Sequence, residues 1–523
     1  MHFAFLTIPS AGEFNVQLAS AGELIELGHR VTFLSGESFR KHIGRFQDRV
    51  RETICEEKAA SIHFVSLGSR HSVEDFTPTV QQRIHEMRQP PGEVLSLQTC
   101  IEVAMVDTEE LASTAAKIAN VVSDLDPDLI IVDVLSPAMI TGIRMTGRKF
   151  LLTIPCSPGM TARTGLFEPH PMAGDRRGSW PTLIESTYIR TRSLVYCALR
   201  PDMRAKRALL KDTLGLKSFG LTSDLSLLPP YWEDPNCLGG VHFNTFALTD
   251  CLQQPDSIVF VGAGVNEEPP SCGLQLETAE QMFLGQALAD GCDVVYINMG
   301  SMFIWTSGEF QAITSALQDV YHATNCKTRF IFKVNKPEVD KCFLPFLETG
   351  KIPSFIHLTT WIDSQQFVYR HPALKAFVHH GGGNSFNEAV YFAVPQLVLS
   401  QWIDTHEYAS LTERFGLGLR SAEPPTIHRA DVRDKLLELL APARWEQFKS
   451  NSCLWSLRSR LGGGPRAAAQ FIECHALNIA REKRRDIKSG LLGYSFPGHI
   501  MKDIDRKLHY PSQAEVPLTV VTN

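Results

Sequence analysis

Between Ala376 and Glu388 the chain reads AFVHHGGGNSFNE, and residue types in that order can hold an anion. Ala376–His379 is an apolar run of strand length, Asn384–Phe392 reads as a helix, and His380-Gly381-Gly382-Gly383 joins them. A glycine-rich turn feeding a helix presents backbone N–H groups and the positive end of the helix dipole to the same point. The glycines let the backbone approach closely, while Asn384 and Ser385 are expected to add a cap and side-chain donors. Each such charge–dipole contact contributes about 0.3–1 kcal/mol, and up to about 2 kcal/mol when partly buried. A diphosphate suits this chemistry. Glu388 lies at i,i+4 from Asn384, so both side chains leave one helix face. The bland alternative is a tight strand-to-helix connection, and the surrounding residues decide against it.

Such a turn must be held at the end of a buried strand, and the chain supplies strand–helix alternation twice. His2–Ile8 is a strand ended by Pro9; Ser10-Ala11-Gly12 turns; Asn15 can cap a helix to about Leu27; Gly28 stops it; Arg30–Ser35 follows. That βαβ unit implies a parallel sheet with right-handed crossovers. Ile62–Leu67, a helix over Glu93–Leu125, Leu129–Val134 and Phe150–Ile154 continue the pattern. From about Gly159 to Leu252 the chain is less regular, with helical stretches near Glu185–Leu210, and Ser257–Val265 closes the first half. Residues 266–275, rich in Pro, Glu and Gly, read as a linker. The second alternation runs through Asp293–Asn298, Arg329–Val334, Phe355–Thr360, Ala376–His379 and Gln396–Ser400. The expectation is an α/β chain of two doubly wound, Rossmann-like domains, 1–265 and 276–465, facing across a cleft. A helix over 466–489 and an extended tail over 490–523 follow. In such sheets ligands lie beyond the carboxyl ends of the strands.

Composition narrows the function. At 523 residues two domains are expected, and 44% hydrophobic with 21% charged residues are the proportions of a soluble globular protein. A net charge of −6 provides no field for a polyanion, which argues against nucleic acid as a partner. No apolar run reaches bilayer-spanning length, and the N-terminus lacks the basic and long apolar segments of a signal peptide. Twelve cysteines without CxxC pairs or zinc-like spacing read as scattered reduced thiols, and no N-x-[ST] site occurs. A cytoplasmic protein is expected. Asp124-Leu125-Asp126 and Asp503-Ile504-Asp505 spell D-x-D, but neither neighbours the glycine turn, and no metal site is expected. Gly462-Gly463-Gly464-Pro465 lacks the Lys-Ser/Thr of a P-loop, and Arg481–Arg485 reads as a solvated helix end.

Around the glycine turn, Trp361, His371-Pro372-Ala373, His380, Gly382, Asn384, Ser385, Glu388, Val394-Pro395 and Trp402-Ile403-Asp404 occur in order. This series resembles the donor-binding signature of the family 1, UDP-dependent glycosyltransferases, H-x-G-x-N-S-x-x-E followed by V-P and an acidic sugar contact. The resemblance implies the two-Rossmann-domain GT-B architecture. The first domain then binds an acceptor, the second binds the UDP-sugar, and the last helix crosses back onto the first. It implies that Trp361 stacks on uracil and that Gln365 reaches uracil or ribose. His380, Gly382, Asn384 and Ser385, with Gly300 and Ser301, would meet the diphosphate; Glu388 would take the ribose hydroxyls; Asp404, with Thr405 beside it, would take the sugar.

The chain departs from the family pattern in four places. The family's W-x-P-Q is Trp361-Ile362-Asp363-Ser364-Gln365, with one residue more before His371; Thr405 stands where the family has Gln; Ala263 replaces the Pro of V-G-P. The family's general base is a His in a G-H pair of the first loop, and here that pair is Gly12-Glu13. His29 does not substitute, because Gly28-His29 reads as a helix-to-strand turn. A glutamate has an ordinary pKa of about 4.3, so Glu13 serves as a base only if the pocket raises it or the acceptor is acidic. Asp133 matches the residue that orients the family's His, and two carboxylates facing one cleft raise one pKa by repulsion.

The implied activity is inverting transfer of a sugar, expected to be glucose, from a UDP-sugar co-substrate to a hydroxyl of a lipophilic small molecule such as a terpenoid or polyketide. The wording D-T-H-E-Y-A after Ile403 looks most like fungal members. The alternatives are a sterol or lipid glucosyltransferase and a nucleotide-sugar-binding protein impaired by loss of the histidine base.

Overall fold

The computed structural model describes residues 1–68, 85–91, 108–162, scattered positions between 183 and 208, and then 230–249, 253–268, 278–334 and 352–492. Met1–Glu473 forms one compact unit. Within it lie two parallel sheets. The first holds β1 (His2–Leu6), β2 (Arg30–Ser35), β3 (Ile62–Ser66), β4 (Leu129–Asp133), β5 (Phe150–Ile154), β6 (Cys237–His242) and β7 (Ile258–Phe260), in the order β3-β2-β1-β4-β5-β6-β7. The second holds β8 (Asp293–Asn298), β9 (Thr328–Lys333), β10 (Ile356–Thr359), β11 (Leu374–His379), β12 (Gln396–Val398) and β13 (Gly418–Arg420), in the order β10-β9-β8-β11-β12-β13.

The inner strands are covered on both faces, so they read as unbroken apolar runs: HFAFL, LIIVD and FLLTI are buried at every position. In each sheet the strand order reverses beside its first strand, between β1 and β4 and between β8 and β11. At that reversal consecutive crossovers diverge to opposite faces and leave a crevice at the strands' carboxyl ends. His379 pairs with Asn298 in register, so β8 and β11 end level, with Gly300 and His380 just beyond. The GT-B expectation holds.

The helices that matter are α1 (Ala11–Glu26) after β1, α2 (Ser307–Ala323) after β8, α3 (Gln365–Arg370), α4 (Gly383–Tyr391) after β11, α5 (Ile403–Arg414) after β12, α6 (Pro442–Leu461) and α7 (Gly464–Leu492). The α6–α7 turn packs tightly on the end of the first sheet: Gly464 N–H donates to the Val261 carbonyl at 2.7 Å, and a Cβ on Gly262 would lie 2.1 Å from the Ser459 carbonyl oxygen. The start of α7 then joins the first half. Ala468 shares a cluster with Val16, Val241, Phe243 and Val261, and Glu473 accepts from His29 Nε2 at 2.9 Å. From Cys474 onward the chain forms a separate unit, whose described part is the continuation of α7 to Leu492. The expected tail and the second D-x-D lie outside the described residues.

Three local expectations need correction. The helix after β1 begins at Ala11 with Ser10 in the extended N-cap position, not at Asn15, so Glu13 falls in its first turn. The helix after β11 begins at Gly383 behind an extended Gly382, and Asn384 is not its cap. The irregular stretch conceals β6, whose Gly239-Gly240 pair broke the apolar pattern. Gly239 has φ +126°, and a Cβ there would meet the Ser257 carbonyl oxygen at 2.1 Å, so the strand requires the residue that hides it. Of Glu93–Leu125, the described part is helical from Thr108; residues 93–107, most of 185–210 and residues 269–275 lie outside the described residues.

Candidate active site

The turn between β11 and α4 is held from below by His379. Its Nε2 donates to Gln396 Oε1 at 2.8 Å, so Nδ1 accepts the Gly381 N–H at 3.0 Å. Gly381, at φ +90°, sends the chain back into α4. Gly382 is extended, and the N–H groups of the first turn that follows have no intrahelical acceptor. The His380 ring lies between two glycines: a Cβ on Gly300 would approach it to 2.5 Å and one on Gly382 to 2.6 Å. Burial pushes the His380 pKa down to about 4. The neutral ring thus has one N–H to give, and the turn meets an anion with dipoles rather than with a full charge. Its Nδ1 is buried and meets no hydrogen-bond partner among the described residues.

Glu388 is partly exposed one turn into α4, and burial pushes its pKa up to about 7 against the opposing pull of Tyr369 and Lys333. Lys333 ends β9 and is held below the usual lysine range by burial, against the pull of Glu388. Its ammonium lies 5.6 Å from the Trp361 ring centre, and the Arg45 guanidinium lies 5.3 Å from it. Trp361 is 55% exposed, with Nε1 donating to Asp363 Oδ1 at 2.9 Å.

The remaining positions are engaged in ways the sequence did not reveal. The Gln365 oxygen accepts from Tyr296 Oη at 2.8 Å and Asn298 Nδ2 at 3.1 Å, so its amide N–H groups are what it can offer a ligand. Gly300, at φ +79°, gives its N–H to Asn298 Oδ1 at 3.0 Å, and Ser301 follows it at the cleft. Thr405 is buried, and its hydroxyl accepts the N–H groups of Gln401 and Trp402 at 3.0 and 2.9 Å while donating to the Trp402 carbonyl. It shapes the turn that carries Asp404. Gly300, Ser301, Gln365, His380, Gly382, Asn384, Ser385, Glu388, Asp404 and Glu13 are all partly exposed, as residues lining a cleft should be.

Opposite the anion turn, Glu13 opens α1 and Asp133 ends β4, the two strands flanking the reversal of the first sheet. Asp133 is fully buried; Oδ1 accepts from the Leu135 N–H at 2.7 Å, and Oδ2 meets no hydrogen-bond partner among the described residues. Burial, reinforced by the charge of Glu13, holds its carboxyl well above the ordinary range. Asp404 belongs to the second half, and burial together with the charges of Glu407 and Glu13 pushes its pKa up to about 7. Glu13 therefore acts electrostatically on an acid from each side of the cleft. The Asn384 side chain donates to the Gly12 carbonyl at 3.0 Å, tying the start of α4 to the first turn of α1, which carries Glu13.

Sequence reasoning missed the residues that bind the two halves. Buried Glu407 accepts from Ser157 Oγ at 2.6 Å and from the Gly159 N–H at 3.0 Å. Asn387 Nδ2 donates to Asn244 Oδ1 at 3.1 Å, and Asn244 Nδ2 donates to Tyr408 Oη at 3.0 Å. Glu407 lies one turn after Asp404, and only that spacing hinted at a second acid. Among the described residues no group of three His, Cys, Asp or Glu side chains is arranged to hold a metal ion, and no helix is long and apolar enough to cross a membrane.

Comparison with known proteins supplies the class. Residues 346–444 match the C-terminal domain of proteins like erythromycin biosynthesis protein CIII. Erythritol-mannosyl-transferase 1 of Mycosarcoma maydis is 37% identical over 576 residues, covering 93% of this chain and 93% of that protein. The protein of the same name from Pseudozyma antarctica is 37% identical over 577 residues, with 93% of each chain covered. The solved glycotransferase of kitacinnamycin superposes with a TM-score of 0.58 over 90% of this chain and 98% of its own, at 16% identity, and so shares the fold. This chain belongs to the family 1-like glycosyltransferases, and it is a transferase enzyme.

Proposed function

We propose that this enzyme transfers mannose, with inversion, from a nucleoside diphosphate sugar to a hydroxyl of a small polyol. The observation that carries the reading is the pair of partly exposed carboxylates Glu13 and Asp404, which act on one another's charge beside the glycine turn that Asn384 ties to Gly12. A pocket rich in carboxylates accepts hydrogen bonds from many hydroxyls at once, which suits a polyol better than the apolar terpenoid or polyketide expected earlier. The name of the 37%-identical relatives agrees with this on both sugar and acceptor, so mannose takes the place of the expected glucose.

In this reading the first turn of α4 and His380 hold the diphosphate, Trp361 stacks on the base, Glu388 takes the ribose hydroxyls and Asp404 takes the sugar. The acceptor oxygen bonds to the anomeric carbon as the carbon–oxygen bond to the β-phosphate breaks. The acceptor proton passes to Glu13, and the electron pair leaves with the nucleoside diphosphate. The helix N-terminus meets the charge that develops on the leaving group. The test is a mass-spectrometric screen of UDP- and GDP-linked glucose and mannose against erythritol and a lipophilic alcohol. The expected product is a mannosyl polyol. Transfer of glucose to the lipophilic alcohol alone would restore the earlier expectation.

A further inference from the structure

His85–Pro91 belongs to the first half of the chain, between β3 and the helix that ends at Leu125, yet its Met87 and Arg88 side chains lie in the second half. Met87 is 5% exposed inside the core formed by Val295, Ile297, Phe303 and Trp305. The Arg88 side chain is 6% exposed and meets two separate parts of the donor side. Its Nη1 donates to Glu309 Oε2 at 3.2 Å and its Nη2 to Glu309 Oε1, while Nε donates to Gln401 Oε1 at 2.8 Å. The guanidinium also lies 4.7 Å from the Phe303 ring centre.

Glu309 and Gln401 each lead to one wall, while Arg88 Nη2 also donates to the Pro425 carbonyl at 3.3 Å. Glu309 closes the capping box of α2, accepting the Thr306 N–H at 3.1 Å, so it ends the loop that begins at Gly300-Ser301. Gln401 opens the turn that carries Asp404, and its N–H is bound by Thr405 Oγ1. The next residue of the strap repeats the contact. The Gln89 carbonyl accepts from His406 Nε2 at 2.9 Å, so His406 Nδ1 accepts from the Ser400 hydroxyl at 2.9 Å. Burial works against the Glu309 charge, and Arg88 with the Thr306 N–H more than offsets it, so the pair is ionised.

We propose that His85–Pro91 is a strap that sets the spacing of the two walls of the donor-sugar pocket, and that Arg88 is its positioning residue. This rests on the donor site assigned above. One side chain spans the 299–306 loop and the 400–406 turn. Loss of the guanidinium releases both walls together.

The experiment compares wild type with Arg88→Met and Arg88→Lys as full-length proteins. Hydrogen–deuterium exchange in the ligand-free proteins reads the strap itself. In Arg88→Met, peptides covering 299–306 and 400–406 are expected to exchange faster together, with β8 and β11 unchanged. Unchanged exchange in either wall overturns the proposal, whether or not the enzyme transfers sugar. With the best donor, Arg88→Met is expected to raise the donor KM by between about tenfold and 100-fold while leaving the acceptor KM near wild type. Arg88→Lys, which keeps the charge but not the fork, is expected to recover part of that loss. A donor KM unchanged in Arg88→Met overturns the positioning role. Absence of transfer by the wild type itself counts against the donor-site reading and leaves the exchange result to judge the strap.

Discussion

Replacing Glu388 by Gln is expected to stabilise the ligand-free protein and weaken donor binding at the same time. The Glu388 pKa stands near 7 in the folded chain against an ordinary 4.5, because burial disfavours its charge. A shift of that size corresponds to about 3 kcal/mol against the ionised form. Between pH 4.5 and 7 the folded state keeps a proton that the unfolded chain has lost. Stability therefore falls as pH rises through that window and stays lower above it. Gln cannot ionise and avoids the loss. Working the two titrations through gives a gain of about 3 kcal/mol at pH 8 and under about 1 kcal/mol at pH 5. Lys333 loses a favourable neighbour in the variant, so these figures are ceilings. At roughly 2.1 cal/mol/K per residue, 3 kcal/mol corresponds to about 3 °C in Tm for a chain of this length. Melting at pH 5 and pH 8 measures the difference, and calorimetric titration of the nucleotide sugar at pH 8 measures the other half. There the loss of a charged acceptor for two hydroxyls is expected to weaken binding by about tenfold or more. A variant that melts below wild type at pH 8, or by the same margin at both pH values, would refute the argument that burial strains this carboxylate.

Two further substitutions probe the turn and the base platform. Gly300→Ala places a Cβ 2.5 Å from the His380 ring at a φ of +79°, so the variant should lose about 1–2 kcal/mol from the backbone alone, seen in melting, and bind donor more weakly. Trp361→Ala removes a ring that is 55% exposed, so stability should change by no more than about 0.5 kcal/mol. Binding of the free nucleoside diphosphate, followed by calorimetry, should fall by about 1–3 kcal/mol.

The parts of the fold legible in the sequence are those decided by burial along a single strand. HFAFL, LIIVD and FLLTI announce themselves because parallel strands covered on both faces are apolar at most positions. β6 was hidden because close packing against Ser257 demands Gly239, and glycine reads as a break. Helix starts were misplaced for a related reason. Asn15 and Asn384 are good caps by type, but the chain enters α1 through Ser10 and α4 through Gly382, and the Asn384 side chain is used across the cleft on the Gly12 carbonyl. The glycine turn between β11 and α4 was legible because its glycines, helix and flanking residues are contiguous. Glu407, Asn244 and Arg88 were not, because their roles come from partners between 143 and 313 positions away, and no local pattern carries that information.

In the proposed reaction Glu13 accepts the proton of the attacking hydroxyl while the α4 turn holds the leaving diphosphate. The most direct measurement is a single-turnover comparison of wild type and Glu13→Gln, with donor affinity determined separately for each. Unchanged donor affinity is expected, with a transfer rate lower by about 100- to 10,000-fold, the usual range for a lost general base. Transfer by Glu13→Gln at the wild-type rate would contradict it, and the base would then have to be sought elsewhere in the cleft.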